Sequence, residues 1–139
     1  ACITEYTPDS RAQFDRTSKA YTWISGGALR MTLDAGGNLT VPGDTVSYSD
    51  ARLKTDVEPI DGALEKLKQV RGVSFTRLAD DSKAIGVIAQ EIEAVFPEAV
   101  TTDEDGYKAV AYASLVAPLI EAVKVLTARV EWLEAQRSR

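Results

Sequence analysis

Val116-Ala117-Pro118-Leu119-Ile120-Glu121-Ala122-Val123-Lys124-Val125-Leu126-Thr127-Ala128-Arg129-Val130-Glu131-Trp132-Leu133 is the stretch on which the fold turns. Val116, Leu119, Val123, Leu126, Val130 and Leu133 recur at spacings of 3, 4, 3, 4 and 3 residues. That is an a/d heptad seam with Val at a and Leu at d, and it predicts a coiled-coil helix over residues 113–137. A helix that packs on its own domain usually shows a wider apolar face than a strict a/d stripe. The seam therefore asks for copies of itself; the other reading is a lone helix with one apolar stripe on its own domain. Arg129 falls at g and Glu134 at e, where a parallel neighbour can pair with it. Pro118 lacks an N–H and belongs in the first turn, with Ser114 as the expected N-cap. Val at a with Leu at d leans towards two strands, but about three heptads are too few to decide the oligomer by themselves.

Upstream of the helix, residues 49–110 read as a compact α+β unit. Leu53 to Ile60 reads as a strand interrupted by Pro59. Asp61 is the expected N-cap of a helix with apolar positions Leu64, Leu67 and Val70, ended by Gly72. Val73 to Leu78 alternates as a strand, and Ala84 to Ile88 is a short buried one. Ala89 to Phe96 carries Ile92, Val95 and Phe96 at helical spacing and stops at Pro97. Asp103-Glu104-Asp105-Gly106 turns into Tyr107 to Val110.

The chain changes character near residue 49. Residues 1–48 read as short strands and turns. Tyr21 to Ser25 ends at Gly26-Gly27, and Leu29, Met31 and Leu33 alternate onto one face. Asp34 to Gly37 turns the chain into Asn38 to Val41, a hairpin pattern. One hairpin buries too little to stand alone, so it either joins a larger sheet or packs against copies of itself.

The composition removes whole classes of function. The chain of 139 residues has 45% hydrophobic and 27% charged residues, an ordinary globular balance with room for one domain, or a small domain plus an arm. Its net charge is −5 with no basic cluster, which argues against nucleic acid or an anionic membrane as partner. There is no histidine, so Ser-His-Asp and Cys-His triads, HExxH zinc sites and histidine switches are excluded. The single cysteine, Cys2, makes neither an internal disulfide nor a cysteine-rich metal site. No apolar run approaches the ~20 residues of a membrane span. The opening, ACITEYTPDS, is not a signal peptide, and without an initiator Met it reads as a fragment of a longer chain.

With histidine absent, the bases that remain are carboxylates, Tyr and Lys. Ser49-Asp50-Ala51-Arg52-Leu53-Lys54 sets a Ser and a Lys five residues apart at the junction between the halves. A Ser-Lys dyad needs only a hydroxyl and an amine held neutral enough to take its proton. Free Lys titrates near ~10.4, so desolvation or a nearby cation such as Arg52 must depress it. By spacing alone, such a pair is more often a solvated turn.

The words around the pair are more specific. Ser49 to Val57 resembles the opening signature of the C-terminal intramolecular chaperone domains of phage endosialidases, tail spikes and tail fibres. Gly86-Val87-Ile88-Ala89-Gln90-Glu91-Ile92-Glu93-Ala94-Val95-Phe96-Pro97 resembles that family's GxIAQE…FP motif. Val110 to Lys124 is similar to its entry into a long C-terminal helix. The three blocks occur in order. Val57 stands where the family commonly has Ile, and residues 1–48 resemble the β-rich stem upstream of such domains.

The resemblance implies an α+β fold: a β-rich stem end over residues 1–48, then a chaperone and autoprotease domain over 49–139 with the coiled-coil helix, assembled as a homotrimer. It implies a chaperone that templates folding of the upstream fibre or spike stem and is released by autoproteolysis, acting as a single-turnover serine peptidase. By the family pattern Ser49 is the nucleophile and Lys54 its base. Asp50 and Arg52 shape the site. Gln90 and Glu91 take part either directly or as a helix N-terminus hydrogen-bonded to the junction loop. The partners implied are two further copies and the stem of the same chain, with no nucleic acid, membrane, metal or other cofactor. The place implied is the host cytoplasm during phage assembly, with the stem retained in the virion tail and the chaperone part released.

Ring size selects the bond. Attack of Ser49 Oγ on the Tyr48 carbonyl closes a five-membered ring, an N→O acyl shift. Attack on the carbonyl of Ser49 itself would need a four-membered ring. Cleavage is thus expected between Tyr48 and Ser49. The alternative is a structural module of the same fold that never cuts and stays at the fibre tip as a clamp. A generic coiled-coil adaptor would explain the helix but not the two motifs before it.

Overall fold

The computed structural model describes the backbone of residues 4–7 and all of residues 10–138. Cys2 lies outside the described residues. The chain forms two compact units, Ala1–Thr55 and Asp56–Arg139, so the turn from Ser49 to Lys54 belongs to the first.

The first unit is a five-stranded antiparallel sheet in sequence order: β1 (Thr4–Thr7), β2 (Ser10–Asp15), β3 (Ala20–Ser25), β4 (Ala28–Leu33) and β5 (Leu39–Thr40). The hairpin expected around residues 34–37 forms as β4–β5, and β3–β4 is a second hairpin. Gly26 and Gly27 close it with φ of +59° and +70°, a pair of left-handed residues that matches the twist of the strands. At the next turn Asp34 Oδ1 accepts the N–H groups of Gly36 at 2.8 Å and Asn38 at 2.9 Å. The β3–β4 hairpin gains β2 and β1 on its upstream side. One expectation is corrected. The register shifts between Trp23 and Ile24, leaving Arg30 as an extra residue in β4, so Leu29 sits opposite Ile24 rather than sharing a face with Met31 and Leu33. Among the described residues of this unit only Ala20 is buried.

The second unit holds α1 (Ala63–Leu67), a hairpin of β6 (Val73–Thr76) and β7 (Lys83–Gly86), α2 (Ala89–Val95), a hairpin of β8 (Val100–Thr102) and β9 (Lys108–Val110), and α3 (Val116–Arg137). The strand expected from Leu53 to Ile60 does not form. Ala51–Leu53 is a 3-10 turn instead, because the Asp50 side chain caps it. Gly62, at φ +64°, stands at the N-cap of α1 in place of Asp61, and Val70 falls beyond the end of the helix. Pro97 opens a 3-10 turn after α2. Asp103 Oδ1 holds the β8–β9 turn by accepting from Asp105 N at 3.1 Å and Tyr107 N at 2.8 Å. Ile92, Phe96 and Ala99 form the buried core, with Ile60, Leu67, Val70, Val87, Val100 and Val110 packed around them. Lys66 Nζ lies 5.5 Å from the Phe96 ring centroid, in cation–π range.

A 3-10 turn, Tyr112–Leu115, leads into α3, so Leu115 rather than Ser114 occupies the N-cap. Pro118 is in the first turn, where its missing N–H costs nothing. α3 packs on α1, and its buried residues are Pro118 and Ala122. The heptad residues are not among the buried ones: Val116, Leu119, Val123, Leu126, Val130 and Leu133 are 48–59% exposed. The stripe read from the sequence is thus left open while another face of the helix docks on the domain. Arg129 Nη2 lies 3.6 Å from Glu65 Oε1 of α1, both side chains being well exposed.

Candidate active site

The turn at Ser49 is built by its own residues. Asp50 Oδ1 accepts the backbone N–H of Arg52 at 2.9 Å, and the Arg52 guanidinium binds the same carboxylate at 3.0 Å and 2.7 Å. Leu53 N donates to Asp50 O and Lys54 N to Ala51 O, both at 3.1 Å. The winding returns Lys54 to Ser49, and Lys54 Nζ donates to Ser49 Oγ at 2.7 Å. A neutral amine at the same separation accepts the hydroxyl proton instead. Ser49 and Lys54 are both exposed, and Tyr48, on the acyl side of the expected bond, is 96% exposed. Asp56, two residues beyond Lys54, has φ +52°, a left-handed conformation that Asp tolerates better than most residues.

Arg52 holds the Asp50 carboxyl below its usual range, first through the guanidinium and then through its backbone N–H. The cap therefore contributes above the ordinary carboxylate pKa and is lost only as the pH falls through the lowered value. If the Ser49–Lys54 pair cuts the chain, Asp50→Ala should slow that cleavage several-fold without abolishing it. Asp50→Asn, which keeps an acceptor for Arg52 N, should recover most of the rate. Gel densitometry over time checks both, and an Asp50→Asn chain as slow as Asp50→Ala would mean that the charge, not the cap, matters.

Gln90 and Glu91 lie in the first turn of α2, in the second unit, with Gln90 exposed. The Glu91 carboxylate is bound within its own unit. Arg71 N donates to Oε2 at 3.1 Å, Arg71 Nε donates to Oε1 at 2.9 Å, and Arg71 Nη2 also reaches Oε1. These bonds, led by the Arg71 side chain, hold its carboxyl below the usual range. A carboxylate so engaged is a poor proton acceptor; it tethers α2 to the chain entering β6. Arg71 lies 20 residues from Glu91, and no local spacing pointed to it.

Gly86 has an equally physical reason. A Cβ there would meet Tyr112 Oη at 2.5 Å and Phe75 Cε1 at 3.4 Å. The Tyr112 hydroxyl accepts the N–H of Val87 at 3.3 Å, so it lies over bare backbone. Gly86→Ala should destabilise the unit by about 1–3 kcal/mol through overpacking. Tyr112→Phe in that background should recover part of the loss. Thermal melts of the two singles and the double check this, and strict additivity would show that the hydroxyl is not the obstacle.

Among the described residues no helix is long and apolar enough to cross a membrane, and no group of acidic or cysteine side chains is arranged to hold a metal. Residues 49–101 match the family described as chaperone of endosialidase, whose family name is that of a peptidase. The chain is 40% identical over 98 residues to the long tail fiber protein Gp37 of Enterobacteria phage K3 and, over the same length, to that of Enterobacteria phage T2. Those matches cover 63% of this chain but only 8% and 7% of the two fibre proteins. With its first residue at the serine of the Ser49–Lys54 pair and its span taking in the Glu91 tether and the core of α2, the matched segment, residues 49–101, is similar to the chaperone-of-endosialidase family.

Proposed function

We propose that the chain is a homotrimeric intramolecular chaperone that templates an upstream phage tail-fibre or spike stem and is then released by cutting itself between Tyr48 and Ser49. The observation that carries the peptidase part is the 2.7 Å contact between Lys54 Nζ and Ser49 Oγ, in a self-capped turn at the start of the family match. The likeness to long tail fibre proteins supports the fibre context.

In this reading neutral Lys54 takes the Ser49 hydroxyl proton as Oγ attacks the Tyr48 carbonyl. The tetrahedral intermediate collapses with rupture of the C–N bond, and the proton passes to the departing amine of Ser49. The ester joining the Tyr48 acyl group to Oγ is then attacked by water, with Lys54 as base and then acid. The products are a Tyr48 carboxylate and a fragment that begins at Ser49. In the single chain both dyad residues are in solvent. A lysine there must be desolvated to act as a base near neutral pH. Assembly of three copies through the open α3 seam would supply that cover and make release conditional on assembly. No metal or other cofactor enters the scheme. The work is done in the host cytoplasm, and the stem remains with the virion.

Intact-mass spectrometry of freshly made chain tests the proposal. Two fragments, 1–48 and 49–139, are expected. A full-length mass that persists in an assembled trimer would favour the non-cleaving clamp.

A further inference from the structure

The sheet of the first unit has two unlike faces. Residues directly opposite each other share a face. Ala12 lies opposite Trp23, Phe14 opposite Tyr21, Met31 opposite Trp23, Leu33 opposite Tyr21 and Leu39 opposite Leu33. None of these paired residues is charged. The reverse face pairs Gln13 with Thr22 and Thr32 with Thr40, and sets Ile24 between Arg11 and Leu29. A sheet normally buries its apolar face under a second layer. Here that face is open: Phe14 is 40%, Tyr21 50%, Trp23 37% and Leu39 58% exposed.

We infer that this aromatic face is where copies of the chain meet around a common axis, each sheet laying Phe14, Tyr21 and Trp23 against the same face of its neighbours. The inference rests on the trimer proposed above and names which side of the stem end turns inward. A surface that meets its own copies near a symmetry axis must avoid charge, since every charge there faces its equal. This face satisfies the condition and the Arg11 face does not. The rings also suit interlocking better than a flat platform for a sugar. Phe14 and Tyr21 are tilted by 39° at 4.7 Å, and Tyr21 and Trp23 by 33° at 6.4 Å. The exposed part of the face is on the order of 500 Å² per copy, below the ~800 Å² per partner of a stable interface. The sheets alone would not hold together, and their association depends on the α3 seam that brings them to high local concentration.

Acrylamide quenching of Trp23 tests the inference in the uncleaved Ser49→Ala chain. Trp132→Phe, outside the a/d seam, removes the other tryptophan. Sedimentation velocity on the same sample reports the assembly state. The expected result is a trimer whose Trp23 emission is blue-shifted and quenched several-fold less than in a Leu126→Asp version. A trimer in which Trp23 quenches as freely as in that version overturns the inference and leaves the trimer reading intact. A chain that does not trimerise overturns both. Protection of Trp23 that appears only when soluble dextran is added overturns it in favour of a sugar platform.

Discussion

Ser49→Ala chain should remain a single species of full length while assembling as the unaltered chain does. The hydroxyl is the atom that must bond to the Tyr48 carbonyl, so its loss removes the ester route entirely. Lys54→Ala and Lys54→Arg should also stop cleavage. General-base removal costs about 10²–10⁴ in rate, and a guanidinium does not deprotonate in a protein. The 2.7 Å separation leaves room for direct proton transfer without an intervening water. Intact mass and N-terminal sequencing of the C-terminal fragment read the outcome. A fragment starting at Asp50 would overturn the choice of bond. Cleavage of Lys54→Arg at the ordinary rate would overturn Lys54 as base, and Glu91 would not readily replace it, because Arg71 occupies both of its oxygens.

The second large effect is expected from Leu126→Asp. Leu126 is 48% exposed at the middle of the seam and is not one of the buried residues of α3. In a trimer the substitution removes about 1.5–3 kcal/mol of apolar burial per copy and sets three carboxylates in one layer. Sedimentation should show monomer at micromolar concentration. Cleavage should disappear with the trimer although Ser49 and Lys54 are untouched. A Leu126→Asp monomer that cuts itself at the ordinary rate would show that one chain completes the dyad's surroundings, and assembly would then not control release.

Much of the fold was legible because its signals are local. The β3–β4 hairpin announces itself through Gly26-Gly27 between alternating strands, and α2 through Ile92, Val95 and Phe96 before Pro97. β2 carries no clear sequence signal, because Ser10–Asp15 has only Ala12 and Phe14 as apolar residues, too sparse an alternation to stand out from a polar loop. The expected strand from Leu53 to Ile60 failed for a local reason as well. Asp50 and Arg52 wind the chain into a 3-10 turn, and that competes with extension.

By itself, the sequence determined two things about this protein. It placed a serine and a lysine one short turn apart, and it wrote an apolar stripe at heptad period along a helix. Both follow from spacing along one element, where the backbone repeat decides which side chains are neighbours. The tertiary structure alone decided what distant groups do to one another. It put Arg71 on Glu91, engaging both carboxylate oxygens. It laid the Tyr112 hydroxyl over Gly86, and it shifted β4 by one residue so that Leu29 left the face of Met31 and Leu33. It also docked α3 on α1 by a face other than the heptad stripe. Such pairings depend on how loops of some 20 residues close and on which surfaces fit when they do, and no period in the chain encodes that closure.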